Sequence, residues 1–360
     1  MPPKDTLWHL EPHSQAKHRI LRGYVNAWLP IMTRYNTRVL LIDAFAGPGR
    51  YLGGEPGSPL ILLDCYLRHT YRSKMTSEIV YFFIEERPDR VEHLRSEIAG
   101  LDIPKNVKVN VEEGRYEDIF RRGLDELQAA GKSIAPTFAF VDPFGYAAAS
   151  MDLTGRFMQF ERCEALIYMP LPFVSRFIGR EGQDRAMTSL FGTNEWRSAI
   201  PLDGDERRQF LHDLFRDQLQ KNGSRFVRSF EIESAQGNGY DLFYATSHKL
   251  GLERMKETMW SLDPAEGGRF RDTTHRDQLV LFQPEPDFAR LREQVLGAFK
   301  QRDFTIEEAL DFVLFDTLFA PSQLRRAVLV PAEVEGRLEV LTPRRRRRTY
   351  PAGTRLRFLP

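Results

Sequence analysis

The strongest constraint in this 360-residue chain is an alternation of two patterns along its first two-thirds: short β-branched or aromatic runs, then longer stretches of helical period. The runs are Arg38–Asp43 (RVLLID), Ile79–Glu85 (IVYFFIE), Val107–Val111, Thr137–Asp142 (TFAFVD) and Ala165–Met169 (ALIYM). After the second run, Val91, Leu94 and Ile98 recur at helical spacing. Such alternation builds a parallel sheet flanked by helices. Phe226–Ile232 and Asp241–Thr246 follow, split by the turn sequence Gln236-Gly237-Asn238-Gly239. The expected fold is α/β, a doubly wound Rossmann-like sheet with an antiparallel edge. A mostly helical insertion at 172–222 covers the carboxyl ends of its strands, where such sheets bind ligands.

At ~150 residues per domain, this length predicts about two domains. Residues 1–261 read as the α/β domain and 262–286, rich in Pro, Gly, Asp and Glu, as a linker. In 287–360, helices are expected at 288–299, at 305–314 with Thr305 as cap, and at 322–330. Strands at 337–341 and 354–359 follow, joined by an arginine-rich loop, the order of a winged helix-turn-helix. From Ser322 onward ten arginines face three glutamates, a charge of +7, which leaves −6 of the overall +1 for residues 1–321. A mildly acidic body with a basic end fits a polyanionic partner, DNA or RNA, with Arg344, Arg345, Arg346, Arg347 and Arg348 on the wing as its contacts.

Other classes find no support. Hydrophobic residues make up 42% and charged residues 28%, an ordinary soluble balance. No apolar run approaches the ~18 residues of a membrane span. Two distant cysteines, Cys65 and Cys163, make neither a disulfide framework nor a metal cluster, so a reducing cytoplasm is expected. Hydrolase and metal-ligand motifs are missing, and no metal is expected.

The loop Asp43-Ala44-Phe45-Ala46-Gly47-Pro48-Gly49 sets a carboxylate at a strand end and two glycines in the turn that follows. Backbone comes close to a ligand only where there is no Cβ. Neither a G-x-G-x-x-G fingerprint nor a Walker lysine follows. Asp43 would repel a pyrophosphate and suits a ligand with an ammonium group, such as S-adenosylmethionine. Glu85, ending the second run, is placed to accept hydrogen bonds from a ribose diol, with Glu86 as the fallback. Val141-Asp142-Pro143-Phe144-Gly145-Tyr146 ends the fourth run. It partly matches the D/N-P-P-Y/F turn that amino methyltransferases place around an exocyclic nitrogen. Asp142 and Pro143 would hold the amine, and Phe144 or Tyr146 would stack on a flipped base.

The segments His13–Trp28, Asp43–Pro59, Val141–Tyr146 and Tyr244–Trp260 resemble the three-Cys-motif partner family over most of residues 9–260. The resemblance implies a class I methyltransferase-like fold, a C-terminal winged helix, and a separate partner protein. That partner carries three cysteines of the kind that hold an iron–sulfur cluster in radical adenosylmethionine enzymes. Methyltransferases of this fold often place Gly-Asp after the third strand to hold the adenine amine. Here Gly114-Arg115-Tyr116 stands instead, leaving the adenine to backbone groups and Tyr116.

His13, Lys17 and His18 share the first helix and suit either a substrate mouth or a solvated face. His248, Lys249 and Lys256 accompany Leu252, Met255 and Met259 on a helix read as packing. The function expected is methyl transfer from S-adenosylmethionine to a base amine of nucleic acid, with Asp43, Ala44, Phe45, Gly47, Gly49, Glu85 and Tyr116 at the cofactor. The alternative is a non-catalytic subunit that presents DNA or RNA to the cysteine-bearing partner.

Overall fold

The computed structural model describes residues 4–143, 145, 150–233, 239–263, 267, 269–271, 286–300 and 302–359. It divides into two compact units, Met1–Gly251 with Phe270–Arg276, and Leu252–Arg269 with Asp277–Pro360. The sequence places that boundary near 261; most of the helix before it belongs to the second unit. No described helix is long and apolar enough to cross a membrane.

In the first unit, α1 (Pro12–Tyr35) precedes β1 (Arg38–Asp43). Alternation then runs through α2 (Ser58–Leu67), β2 (Glu78–Glu85), α3 (Pro88–Ala99), β3 (Val107–Glu113), α4 (Tyr116–Ala129), β4 (Thr137–Val141), α5 (Met151–Met158) and β5 (Cys163–Met169). α6 (Leu171–Phe177), α7 (Asp184–Phe191) and α8 (Gly204–Lys221) form the helical insertion, followed by β6 (Phe226–Glu233) and β7 (Gly239–Thr246). α9 (Lys249–Leu262) comes next, and β8 (Arg269–Arg271) adds a short edge strand inside the stretch read as linker.

The sheet order is β3-β2-β1-β4-β5-β7-β6-β8. β1 to β5 run parallel, and β7 is antiparallel to both β5 and β6. The hairpin therefore does not simply extend the edge: β7 wedges between β5 and β6. The insertion carries the chain past the edge, β6 lands one place out, and β7 returns into the gap. Its turn residues 236–238 lie outside the described residues. The sheet's first seven strands, parallel except for the reversed β7, follow the order of a class I methyltransferase-like sheet, and β8 adds an eighth at the edge. The central strands β4 and β5 are buried along their whole length, while in β3 only Val107 is buried.

The amino end of β5 holds a buried polar knot. Glu164 accepts hydrogen bonds from the hydroxyls of Tyr24 and Thr246, and the Tyr24 and Tyr244 hydroxyls pair with each other. A Cβ on Gly251 would come within 2.5 Å of the Tyr244 hydroxyl and 2.6 Å of Glu164, so only glycine packs there.

The second unit contains α10 (Phe288–Phe299), β9 (Asp303–Thr305), α11 (Ile306–Asp316), α12 (Pro321–Leu324), a π turn at Arg325–Leu329, α13 (Val330–Val334), β10 (Leu338–Val340) and β11 (Arg355–Phe358). Thr305 caps α11 in a reciprocal box with Glu308. The three strands pair antiparallel in the order β10-β11-β9. A single core of Leu291, Val295, Phe304, Val313, Leu324 and Leu356 holds helices and sheet together.

Lys256 is buried here, and its ammonium donates to the carbonyls of Val313, Leu314 and Thr317 at 2.8, 3.1 and 2.9 Å. Those carbonyls end α11, where the helix leaves acceptors unpaired and a positive charge is favoured. Lys256→Met keeps the apolar stem and removes the donors. Urea unfolding of the second-unit transition should show a loss of about 2–4 kcal/mol. A loss below ~0.5 kcal/mol would mean that the ammonium contributes nothing beyond its stem.

Candidate active site

The strand order reverses between β1 and β4, and a cleft of about 610 Å3 opens at their carboxyl ends. That volume is within the ~300–1,000 Å3 usual for small-molecule sites. Its floor is the loop after β1. Gly47 and Gly49 have φ of +63° and +84°, left-handed backbone that favours glycine. A Cβ on Gly49 would stand 2.7 Å from Leu94 Cδ1, which ties the loop tightly to α3. Gly57 N–H closes it by donating to the Gly49 carbonyl at 2.7 Å.

Two buried carboxylates support this loop differently. Glu85 Oε2 accepts from Gly47 N–H and Oε1 from Arg87 N–H, both at 2.9 Å. It is a strut between the glycine turn and the start of α3. Asp43 is fully buried at the end of β1, and its Oδ1 accepts from Phe45 N–H at 3.2 Å. The Ser58 hydroxyl is near without completing a bond of normal geometry, and Asp43 Oδ2 is buried with no hydrogen-bond partner. Burial pushes this carboxyl up to about 7, against the pull of the Ser58 hydroxyl and Phe45 N–H. A shift of that size costs the ionised fold roughly 4 kcal/mol.

Of the residues the sequence assigns to a cofactor, Phe45, Gly47 and Gly49 line the cleft. Asp43, Ala44, Glu85 and Tyr116 are buried behind it. Ala44 N–H donates to the Phe140 carbonyl at 2.9 Å, joining β1 to β4. Tyr116 stacks on Phe120 and backs Phe45 at 5.3 Å. Glu86 is exposed.

Asp142 and Pro143 form the opposite wall, and Phe144 and Tyr146 lie outside the described residues. Lys17 Nζ donates to Asp142 Oδ2 at 2.6 Å and sits 4.1 Å from the centre of the Tyr168 ring. Tyr168 stacks in turn on Tyr240 at 5.4 Å. Burial, with the Asp142 charge adding to it, holds the Tyr168 phenol well above its ordinary value, so it stays neutral. Lys17 projects from the buried face of α1; Tyr168 belongs to a strand whose sequence reads as plain core. The sequence leaves Lys17 and His18 open to a substrate mouth or a solvated face; both line the cleft, whereas nothing in the sequence marks Tyr168. The two cysteines are buried, with their thiols pushed up to about 12, far from nucleophilic.

The arginine run lies between β10 and β11. Arg344 is not free for a ligand: it pairs with Glu333, which also accepts from the Tyr350 hydroxyl at 2.7 Å. Arg345, Arg346, Arg347 and Arg348 are exposed.

No protein-family model matches the sequence, and no curated protein matches it. Resemblance to the three-Cys-motif partner family therefore rests on the quoted segments alone. Solved structures resemble this chain distantly. Trm1 from Pyrococcus horikoshii, in complex with S-adenosyl-L-methionine, is 12% identical over 72% of this chain and 61% of its own, with a TM-score of 0.37. This chain thus spans under two-thirds of Trm1. The O-methyltransferase TomG from Streptomyces achromogenes, in complex with SAM, is 17% identical over 67% of this chain and 92% of its own, with a TM-score of 0.32. An O-methyltransferase from Bacillus cereus, in complex with SAH, is 13% identical over 66% and 83%, with a TM-score of 0.33. Likenesses this distant leave the reading of the site to its own geometry.

The Lys17–Asp142 pair is largely withdrawn from water, at 6% and 20% side-chain exposure. Lys17→Met strands the carboxylate and should destabilise the first unit by about 1–3 kcal/mol. Adding Asp142→Asn should recover more than half of that loss. Additive effects in the denaturation cycle would show that the two groups do not interact.

Proposed function

We propose that the first unit is an S-adenosylmethionine-dependent methyltransferase acting on a base amine of DNA or RNA. The observation that carries this reading is the half-satisfied Asp43 beneath a glycine loop that faces the Asp142-Pro143 wall. A buried carboxylate with one oxygen unpartnered lacks a cation, and the ligand's ammonium would supply it. The glycine turn leaves backbone, not side chains, at the floor, where an adenosyl group would lie. Bound adenosylmethionine supplies an activated methyl group on a sulfonium. Asp142 and the Pro143 carbonyl side would orient the acceptor amine, and Tyr168 with its neighbours would keep water out. Methyl transfer needs alignment more than acid–base work, so positioning would supply most of the rate.

In the second unit, the order of helices and strands supports a winged helix whose arginine loop is the wing. Nucleic-acid affinity would come chiefly from Arg345–Arg348, while Arg344 anchors the loop to Glu333. An iron–sulfur partner of the three-cysteine type, met in the cytoplasm, follows from the family resemblance alone. One observation favours a second reading, a non-catalytic platform: the Lys17 ammonium already occupies Asp142.

Transfer of label from methyl-tritiated adenosylmethionine into mixed DNA and RNA oligonucleotides separates the two readings. Asp142→Ala should abolish transfer and leave cofactor affinity nearly unchanged; wild type that binds cofactor without transferring label supports the platform.

Cofactor binding carries a pH signature. Asp43 ionises near 7, and an ammonium above it favours the ionised form. Affinity for S-adenosylhomocysteine should therefore rise by about tenfold from pH ~6 to ~7.5. Methylthioadenosine, which lacks the ammonium, should show a flat profile by calorimetry. Parallel profiles for the two ligands would remove Asp43 from the account.

Replacing Arg345–Arg348 with serine should flatten the salt dependence of duplex binding by roughly two to three in log–log slope. Fluorescence anisotropy at several salt concentrations reads this directly. An unchanged slope would assign the loop to protein contacts instead.

A further inference from the structure

Lys4 to Trp8 are pinned across the glycine loop and the start of α3. Arg87 Nη1 donates to the Lys4 carbonyl at 2.6 Å and Arg90 Nη2 to the Asp5 carbonyl at 3.2 Å. The Thr6 hydroxyl donates to Asp89, and Leu52 N–H donates to the Trp8 carbonyl at 2.9 Å. The Arg90 guanidinium lies 4.6 Å from the centre of the indole ring, and Tyr51 meets that ring edge-on at 5.7 Å.

This arrangement fixes the ring in place and in tilt. Arg90 is only 2% exposed, and burial works against its charge. Holding a guanidinium there is costly, and the nearby Glu85 and Asp89 carboxylates, the Asp5 carbonyl and the aromatic face together offset the lost water. Trp8 itself is only partly buried, so core packing is a weak reason for the expense. Its indole lines the cleft, with Cη2 3.4 Å from where a Cβ on Gly47 would stand. An aromatic ring held rigidly at the cleft wall beside the glycine loop is a platform for a planar ring.

We propose that Trp8, held by the 4–8 strap, is a ligand-contacting residue on which the purine of the cleft's ligand packs. The strap and the ligand are then linked: each is held better when the other is present. This rests on the methyltransferase reading, because that reading supplies the purine.

The test uses the full chain with S-adenosylhomocysteine and methylthioadenosine as probes. The protein has four tryptophans, so the Trp8 signal is read by difference. Either probe should change the tryptophan fluorescence of wild type, and Trp8→Phe should abolish that change while binding within about threefold of wild type. Trp8→Ala should weaken both probes by about ten- to a hundredfold in calorimetry. Thermal melts of both variants should remain cooperative; if Trp8→Ala does not fold, the fluorescence difference with Trp8→Phe decides. Should wild type bind the probes while Trp8→Phe keeps the full fluorescence change, or Trp8→Ala keep its affinity, the strap inference falls and the methyltransferase reading stands. Wild type that binds neither probe at millimolar concentration overturns both.

Discussion

The tie between Glu85 and the Gly47 main chain is the contact on which the site's shape depends. One hydrogen bond from Gly47 N–H fixes the end of β2 to the loop after β1, and a second, from Arg87 N–H, holds the same carboxylate to the start of α3, in a setting nearly closed to water. Left-handed backbone at Gly47 and Gly49 brings the loop under the cleft, and Leu94 leaves no room for a side chain there. Glu85 already accepts two main-chain hydrogen bonds, and the acid beneath the loop with an unpartnered oxygen is Asp43. The two acids occupy equivalent strand ends, yet one is satisfied and the other is left half-satisfied. Buried groups of the second kind gather where a ligand completes the set.

Across the cleft, Lys17 and Asp142 neutralise each other against the face of Tyr168. An acceptor amine that takes Asp142 must displace an ammonium already seated there. Lys17 is held by α1, the same helix that supplies Tyr24 to the buried knot around Glu164, so the pair stands on a rigid element.

Much of this architecture is legible in the sequence because its signals are local. Strand runs, the glycine turn, the Thr305 cap and the helical insertion each follow from period or from turn chemistry. The place of β7 between β5 and β6 is not, since hairpin sequence fixes pairing within the hairpin and not which strand meets the sheet. β9 is three residues long, too short for a periodic signal. The sequence locates Glu85 correctly at a strand end but gives no hint that main-chain donors claim both of its oxygens. Trp8 and Lys17, near the start of the sequence, meet Tyr168 of β5 at the cleft, a juxtaposition that only the folded sheet creates. Arg344 looks like its four neighbours in the run; its partner Glu333 is eleven residues away and sets it apart.

The central claim is that Asp43 is a buried carboxyl awaiting a cation. Carbon-detected NMR of protein labelled at aspartate carboxyl carbons, with Asp43→Asn to assign the signal, measures it directly. The account predicts that the Asp43 carboxyl titrates near 7 in the free protein and falls toward the ordinary acid range when S-adenosylhomocysteine is added. A carboxyl that titrates near the usual ~4 in the free protein, or one that ignores the ligand, would contradict it.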